Sequence, residues 1–172
     1  IKGLMGLLGY NISNANQDLT SATADMRQMG SLLHSLPVLL TQEGEAVAKL
    51  NEANKVVIDT EGRKDYVLFG TTQGLLHVVD AESGVEKFSF LPKEMAEKQY
   101  ELFKYGAGTW NHGKDGLYYG VDGEWTAHTV YVSKDDGTLT VDGIVRNVAG
   151  GNENETENLQ GKQWVYGGLR MG

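Results

Sequence analysis

Three apolar, β-prone runs stand close together near the middle of the chain, at residues 66–71, 75–80 and 86–91. The two short interruptions between them carry Gly74 and Gly84, at places where a tight turn needs a residue that tolerates a positive φ. The pattern predicts a three-stranded antiparallel meander.

The last of these runs has an aromatic side. Phe88 and Phe90 alternate with Lys87 and Ser89, so both rings project from one face of the strand. A meander with such a face is not stable alone, and we expect another sheet to cover it.

Residues 29–40 form a near-continuous apolar run that contains Pro37. Because proline cannot donate a ladder hydrogen bond, the run is either an edge strand or two extended pieces joined at Pro37. His34 lies within it and is predicted to be buried and hydrogen-bonded. A metal or catalytic role is disfavoured because no second ligand stands at a recognisable spacing.

Helical spacing appears twice. Residues 41–55 carry apolar positions typical of a short surface helix ahead of a strand at 56–59, with residues 61–64 as a charged turn. The positions are Ala46, Val47 and Leu50. A second helix is predicted between Pro92, which suits a first helical position, and Gly106, which suits a stop.

The second half of the chain returns to short β-prone runs. These are residues 118–121, 128–132, 138–141, 144–148 and 163–169. Asp-Gly turn signals separate several of them, at 122–123, 135–137 and 142–143. The acidic, polar residues 150–160 are predicted to form a mobile loop. Such spacing favours an antiparallel all-β architecture, either a sandwich or a propeller.

Composition narrows the function classes. The 172 residues are 40% apolar, enough for a core, and the formal charge of −8 argues against nucleic-acid binding. Without cysteine, the chain has no disulfide, thiolate zinc site or cysteine nucleophile. No run approaches the roughly 20 apolar residues of a membrane-spanning helix.

Candidate chemistry is sparse. The four histidines stand far apart in sequence without a metal-binding spacing, and no serine lies in a G-x-S-x-G elbow. The four histidines are His34, His77, His112 and His128. Asp135 and Asp136 favour a turn over a cation site, because adjacent acidic side chains diverge along an extended chain. No catalytic, cofactor or metal residue is predicted, and we expect the chain not to be an enzyme.

The central meander resembles a known repeat. GTTQGLLHVVDAESGVEKFSF is similar to the "G-x-x-D-G-x-L-H-A-x-D-A-x-T-G-x-E" blade repeat of quinoprotein-type β-propellers. The matching positions are Leu76-His77, Asp80-Ala81 and Gly84. The repeat itself implies a fold more than a function.

Flanking blocks resemble the C-terminal propeller of the PilC/PilY family of type IV pilus assembly factors. Residues 29–38 are similar to its "L-G-D-I-x-H-S-x-P" strand, residues 90–92 and 119–123 to "Y-V-P … Y-x-V-D-G", and residues 164–169 to "W-R-x-V-L-V-G-G-L". The blocks occur in the family's order. Ser31 departs from the family's aspartate, and Glu124-Trp125 from a small residue and proline.

The resemblance implies an incomplete quinoprotein-like β-propeller over residues 29–172, with one inserted helix, after an N-terminal arm or linker at 1–28. We expect further blades in the same polypeptide, because an unclosed arc leaves bare strand edges. Calcium is implied for the family alone, through a loop that follows the position of Gly172.

The implied function is pilus assembly, supporting extension against retraction, with surface adhesion as an additional role. The implied location is the periplasm, outer membrane or pilus tip of a Gram-negative bacterium. The implied partners are pilin or minor pilin subunits, other pilus-machinery proteins and a host surface.

Two alternatives stay open. A fragment of a quinone-cofactor dehydrogenase shares the repeat, but Phe88 stands where its docking tryptophan is expected. The candidate site is an aromatic surface that binds a partner protein. It consists of Trp110, Tyr118, Tyr119 and Trp125. The competing interpretation is that these four side chains pack in the core or between blades.

Overall fold

The computed structural model describes residues 4–5, 10, 18, 20, 22–23, 29–98, 120–148, 150–152 and 155–170. The regular structure of the described part is mostly antiparallel β-sheet, which confirms the all-β prediction. Its strands are β1 (Val38–Leu50), β2 (Val56–Gly70), β3 (Leu76–Asp80), β4 (Glu86–Phe90), β5 (Trp125–Val130), β6 (Val132–Ser133), β7 (Leu139–Thr140), β8 (Gly143–Asn147), β9 (Thr156–Gln160) and β10 (Lys162–Gly167).

The largest sheet has six strands in the order β4-β3-β2-β1-β7-β6. Its first four strands are sequential neighbours, and the predicted meander is confirmed as β2, β3 and β4. Gly74 and Gly84 occupy the two turns with φ of 94° and 71°, values that side-chain-bearing residues rarely adopt. Local turn chemistry therefore sets this part of the fold.

The second meander turn is closed by Asp80. Its Oδ1 accepts the N–H of Ser83 at 2.9 Å and the hydroxyl of Ser83 at 2.8 Å. These bonds, together with the ammonium of Lys87, lower the pKa of Asp80 to about 2. The Asp and Ser of the D-A-x-S-G segment thus have a turn-forming role.

The first two strands extend well beyond the meander as a long hairpin. Ala48 pairs with Ile58 and Leu50 with Val56, and the register shifts at Glu43. The helix predicted for residues 41–55 is wrong, since these residues complete β1 and its turn. The charged turn predicted at 61–64 is also wrong, because β2 runs through it with Gly62 at a positive φ of 59°.

The core lies between the six-stranded sheet and a two-stranded sheet formed by β5 and β10. Ala127 and Val165 of the small sheet pack against buried side chains of the large one. The buried cluster is Leu40, Leu68, Leu76, Val78 and Val121. A covering sheet was predicted, but Phe88 and Phe90 stay 58% and 55% exposed, so the cover is partial.

The remaining strands form two hairpins. β6 and β7 flank a turn at Asp135 and Asp136, with Gly137 at a φ of 90°, which confirms the turn prediction. β8 pairs with β9, so the loop predicted for residues 150–160 is wrong at its second half. Arg146 and Glu157 link these two strands with an Nε to Oε1 distance of 2.7 Å.

Pro37 immediately precedes β1, and residues 29–37 form no strand. β1 is an internal strand of its sheet, so the edge-strand alternative is wrong. After β4, a short helix spans Lys93–Lys98 and buries Met95 completely. The rest of the helix predicted up to Gly106 and the first half of the strand predicted at 118–121 lie outside the described residues.

Candidate functional site

The most highly connected polar group of the described chain is the carboxylate of Asp122, which is fully buried. Its Oδ1 accepts three consecutive N–H groups, those of Leu33, His34 and Ser35, each at 3.0 Å. Its Oδ2 lies 2.9 Å from Nδ1 of His34. We call this arrangement the Asp122 anchor. It fixes residues 33–35 to the loop that precedes β5.

The hydrogen bonds of the Asp122 anchor favour the charged form of the Asp122 carboxyl group. Burial alone would raise the pKa of Asp122, but the N–H and ring of His34 and the N–H groups of Ser35 and Leu33 outweigh burial and lower its pKa. Since a carboxylate only accepts hydrogen bonds, Nδ1 of His34 carries the proton. His34 is hydrogen-bonded as predicted, but its side chain is 39% exposed, so the prediction of burial is wrong.

A second contact ties the same segment to the large sheet. The hydroxyl of Ser35 accepts the N–H of Gly70 at 2.9 Å, at the end of β2. At Gly70 an added Cβ would lie 1.8 Å from the carbonyl oxygen of Val121. Only glycine permits this approach between the end of β2 and the loop before β5.

Trp125 packs at this junction. Its Nε1 donates to the carbonyl of Val121 at 2.8 Å, and its partly buried ring packs against the core. The ring also lies where a Cβ on Gly167 would stand, 2.2 Å from the nearest ring atom. Trp125 therefore occupies an inter-sheet packing position. The other predicted surface residues, Trp110, Tyr118 and Tyr119, lie outside the described residues.

Next to the junction an apolar groove of about 450 Å³ opens between the two sheets. Leu40, Leu68 and Val78 form its floor, and Val165 and Phe88 line its sides. A volume in this range matches small-ligand pockets. The polar residues of its lining are Gln42, Tyr66, Lys87 and Gln163, and the two glutamines hydrogen-bond each other. Its lining resembles an unfilled part of the core more than a substrate site.

The small sheet has an exposed outer face. Trp164 stacks on His128 with ring centroids 5.6 Å apart, and Nζ of Lys162 lies 5.9 Å from the centre of the Trp164 ring. Trp164 and Tyr166 are 40% and 55% exposed. Both sheets thus carry aromatic side chains that the described residues leave uncovered.

His77 is a buried histidine on the large sheet. Its Nδ1 lies 2.7 Å from Oε1 of Glu86, and its ring stacks on Phe69 at 5.3 Å. Its Nε2 is buried without a hydrogen-bond partner in the structure. The carboxylate of Glu86 accepts the hydrogen bond of Nδ1, so Nδ1 carries a proton.

No group of three or more His, Asp or Glu side chains that could hold a metal ion occurs within the described ranges. The same ranges contain no helix long and apolar enough to cross a membrane.

Asp136 caps its own turn, because its Oδ1 accepts the N–H of Thr138 at 2.9 Å.

Sequence reasoning singled out His34 and the Asp122-Gly123 pair separately but did not bring them together. The only signal was their membership in two blocks that resemble one family. Nothing local to either block indicates that the two residues, 88 positions apart in the sequence, meet in the fold.

Comparison with family models, with curated proteins and with solved structures gave no match to this chain.

Proposed function

We propose that the chain is part of a quinoprotein-like β-propeller of the PilC/PilY type and serves type IV pilus assembly without catalysing a reaction. In this role it supports pilus extension against retraction, at the pilus tip or outer membrane of a Gram-negative bacterium. Its partners are pilin subunits and other pilus-machinery proteins, and a host surface is a further partner if it also acts in adhesion.

One observation carries the proposal. The sequence blocks that resemble the family are distant in sequence and meet at the Asp122 anchor, where the "V-D-G" aspartate binds the backbone of the "H-S-x-P" segment. The third block contributes β10, which pairs with β5 directly after the "V-D-G" loop. Residues that resemble a family by order alone therefore also form one connected set of contacts.

One part of the sheet order supports the propeller part of the proposal. β1 to β4 are four sequential antiparallel strands, which is the arrangement within a propeller blade, and β7 and β6 extend the same sheet beyond β1. The groove and the exposed rings of Phe88 and Phe90 lie where further strands would pack. These open surfaces motivate our expectation of further blades in the same polypeptide.

The function is tested genetically in the bacterium that encodes the chain. Deleting the gene should remove surface pili and twitching motility, and a wild-type copy should restore both. A copy with Asp122→Ala should restore less than a copy with the exposed control change Asp135→Ala. If extension against retraction is the role, removing the retraction motor from the deletion strain should bring pili back.

A deletion strain with normal pili and motility would contradict the proposal. The dehydrogenase alternative is tested on purified full-length protein supplied with pyrroloquinoline quinone and calcium. That alternative requires dye-linked oxidation of alcohols or aldehydes, whereas the pilus proposal requires that none be detected.

A further inference from the structure

The outer part of the β1–β2 hairpin, residues 46–60, extends beyond the rest of its sheet, and we call it the arm. β1 covers one edge of β2, and β3 covers the other edge only from Tyr66 to Gly70. Among the described residues, no strand pairs with that second edge between residues 56 and 65. β2 therefore presents an open strand edge over residues 56–64, and the part at 56–60 belongs to the arm.

The first three residues of this edge, Val56, Val57 and Ile58, are apolar, and polar or charged residues follow them. Val56 and Ile58 are 69% and 72% exposed, and Leu50, which pairs with Val56, is 65% exposed. Cross-strand partners share a face, so the three side chains form one exposed aliphatic stripe together with Ala48. An exposed edge with apolar residues and no proline is a template for pairing with another strand.

The direction of the backbone groups is fixed by the turn. The carbonyl of Lys55 accepts the N–H of Asn51 at 3.0 Å, so Lys55 points its backbone groups toward β1. Because these groups alternate along a strand, Val56 and Ile58 point theirs toward the open edge. At Thr60 the N–H is already bound by Oδ1 of Asp59 at 2.8 Å, which ends the available stretch.

We propose that residues 55–59, Lys-Val-Val-Ile-Asp, pair in antiparallel fashion with the same residues of a second copy, around a two-fold axis at Val57. In this register Val56 faces Ile58 of the second copy, and the two exchange both backbone hydrogen bonds. Val57 faces Val57 on the axis as a non-hydrogen-bonded pair. Lys55 faces Asp59 at both ends, so apolar side chains meet apolar ones and opposite charges meet.

Competing registers match less well. Parallel, in-register pairing places Lys55 beside Lys55 and Asp59 beside Asp59, which is repulsive. An antiparallel axis at Ile58 places Asp59 opposite Val57 and requires the N–H of Thr60 that Asp59 already binds. Of these three registers, only the axis at Val57 satisfies both the side chains and the available backbone groups.

The contact is small. Two five-residue edges bury far less than the roughly 800 Å² per partner of a standard stable interface, so we expect a dimer that depends on protein concentration. This inference rests on the arm and does not depend on the proposed function.

Cysteine cross-linking on the full chain tests the register, since the native sequence has no cysteine. Cβ atoms of a non-hydrogen-bonded pair lie about 4.5–5.5 Å apart, within reach of a disulfide after small adjustments. Val57→Cys should therefore form a disulfide dimer under mild oxidation. Thr60→Cys is the matched control, because its copies would lie about 20 Å apart at about 3.3 Å per residue.

Faster cross-linking of the Val57→Cys protein than of the Thr60→Cys protein supports the proposed axis. Equal rates, or faster cross-linking of an Ile58→Cys variant, would overturn it.

Charge reversal gives an independent test by sedimentation over a concentration series. Lys55→Glu should weaken dimerisation by about tenfold because it places like charges opposite each other. Circular dichroism checks that each variant is folded. Lys93→Glu, on an exposed helix away from the arm, should leave dimerisation unchanged. A wild-type chain that stays monomeric into the millimolar range, or that grows beyond dimers, would contradict the proposal.

Discussion

Nδ1 of His34 lies 2.9 Å from Oδ2 of Asp122, although 88 residues separate them in the sequence. The same aspartate binds three consecutive N–H groups through its other oxygen. One buried carboxylate therefore holds an irregular segment to the loop before the small sheet, and Ser35 of that segment binds the end of the large sheet at Gly70. The stability of this junction should depend on that single side chain.

Asp122→Ala should lower the free energy of unfolding by about 2–4 kcal/mol, since the donors lose a charged acceptor and only some of them can turn to water. Denaturant unfolding followed by tryptophan fluorescence measures the change. Asp135→Ala makes the same substitution at an exposed turn position and should change stability by less than about 0.5 kcal/mol. Equal effects from the two variants would show that the anchor is not stabilising.

Acid should weaken the anchor. The pKa of Asp122 is lower in the folded state than its unfolded value of about 3.9, so the unfolded chain binds the proton first as pH falls. The contribution of the carboxylate is complete above about pH 5, decreases through pH 3.9 and disappears below the folded pKa.

Asp122→Asn isolates this effect because asparagine does not titrate. The difference in unfolding free energy between the wild type and this variant should shrink when pH is lowered from 5 to 3. A difference that is constant over this range would contradict the lowered pKa.

Gly70→Ala should destabilise the chain by at least about 2 kcal/mol, because its Cβ would collide with the carbonyl oxygen of Val121. Backbone has to move to relieve that collision. Gly168→Ala is the matched control, since an added Cβ there meets nothing within 4 Å. Thermal unfolding of both proteins compares them directly, and a Gly70→Ala protein as stable as the control would exclude the close approach.

His77→Phe should change the unfolding free energy by less than about 1 kcal/mol. The variant loses the bond to Glu86 but also removes the buried, unsatisfied Nε2 and keeps a ring against Phe69. Leu68→Ala, in the adjacent core, should cost about 2–5 kcal/mol. A loss of that size for His77→Phe would mean that Nε2 has a partner in solution.

Sequence reasoning succeeded where structure is set locally. Gly74 and Gly84 mark turns because their φ values require glycine. The alternation of aromatic and polar residues around Phe88 correctly places Phe88 and Phe90 on one face of β4. The strands of the meander follow from these features without knowledge of any distant residue.

Sequence reasoning failed where strand pairing is set by residues distant in the sequence. The spacing of Ala46, Val47 and Leu50 is compatible with a helix, and pairing with β2 decides for a strand. The polar residues of β9 have little β-propensity of their own, but they pair with β8 and Glu157 binds Arg146.

The sequence by itself determined the antiparallel β-character of the chain, the meander and its glycine turns, because these depend on the side-chain alternation and backbone freedom of near neighbours. Only the tertiary structure decided that Asp122 and the segment around His34 meet, that Trp125 packs between two sheets, and that the arm carries an open edge. Each of these depends on which distant strands lie side by side, and that choice is made by the collective burial of apolar side chains and by backbone groups that need partners.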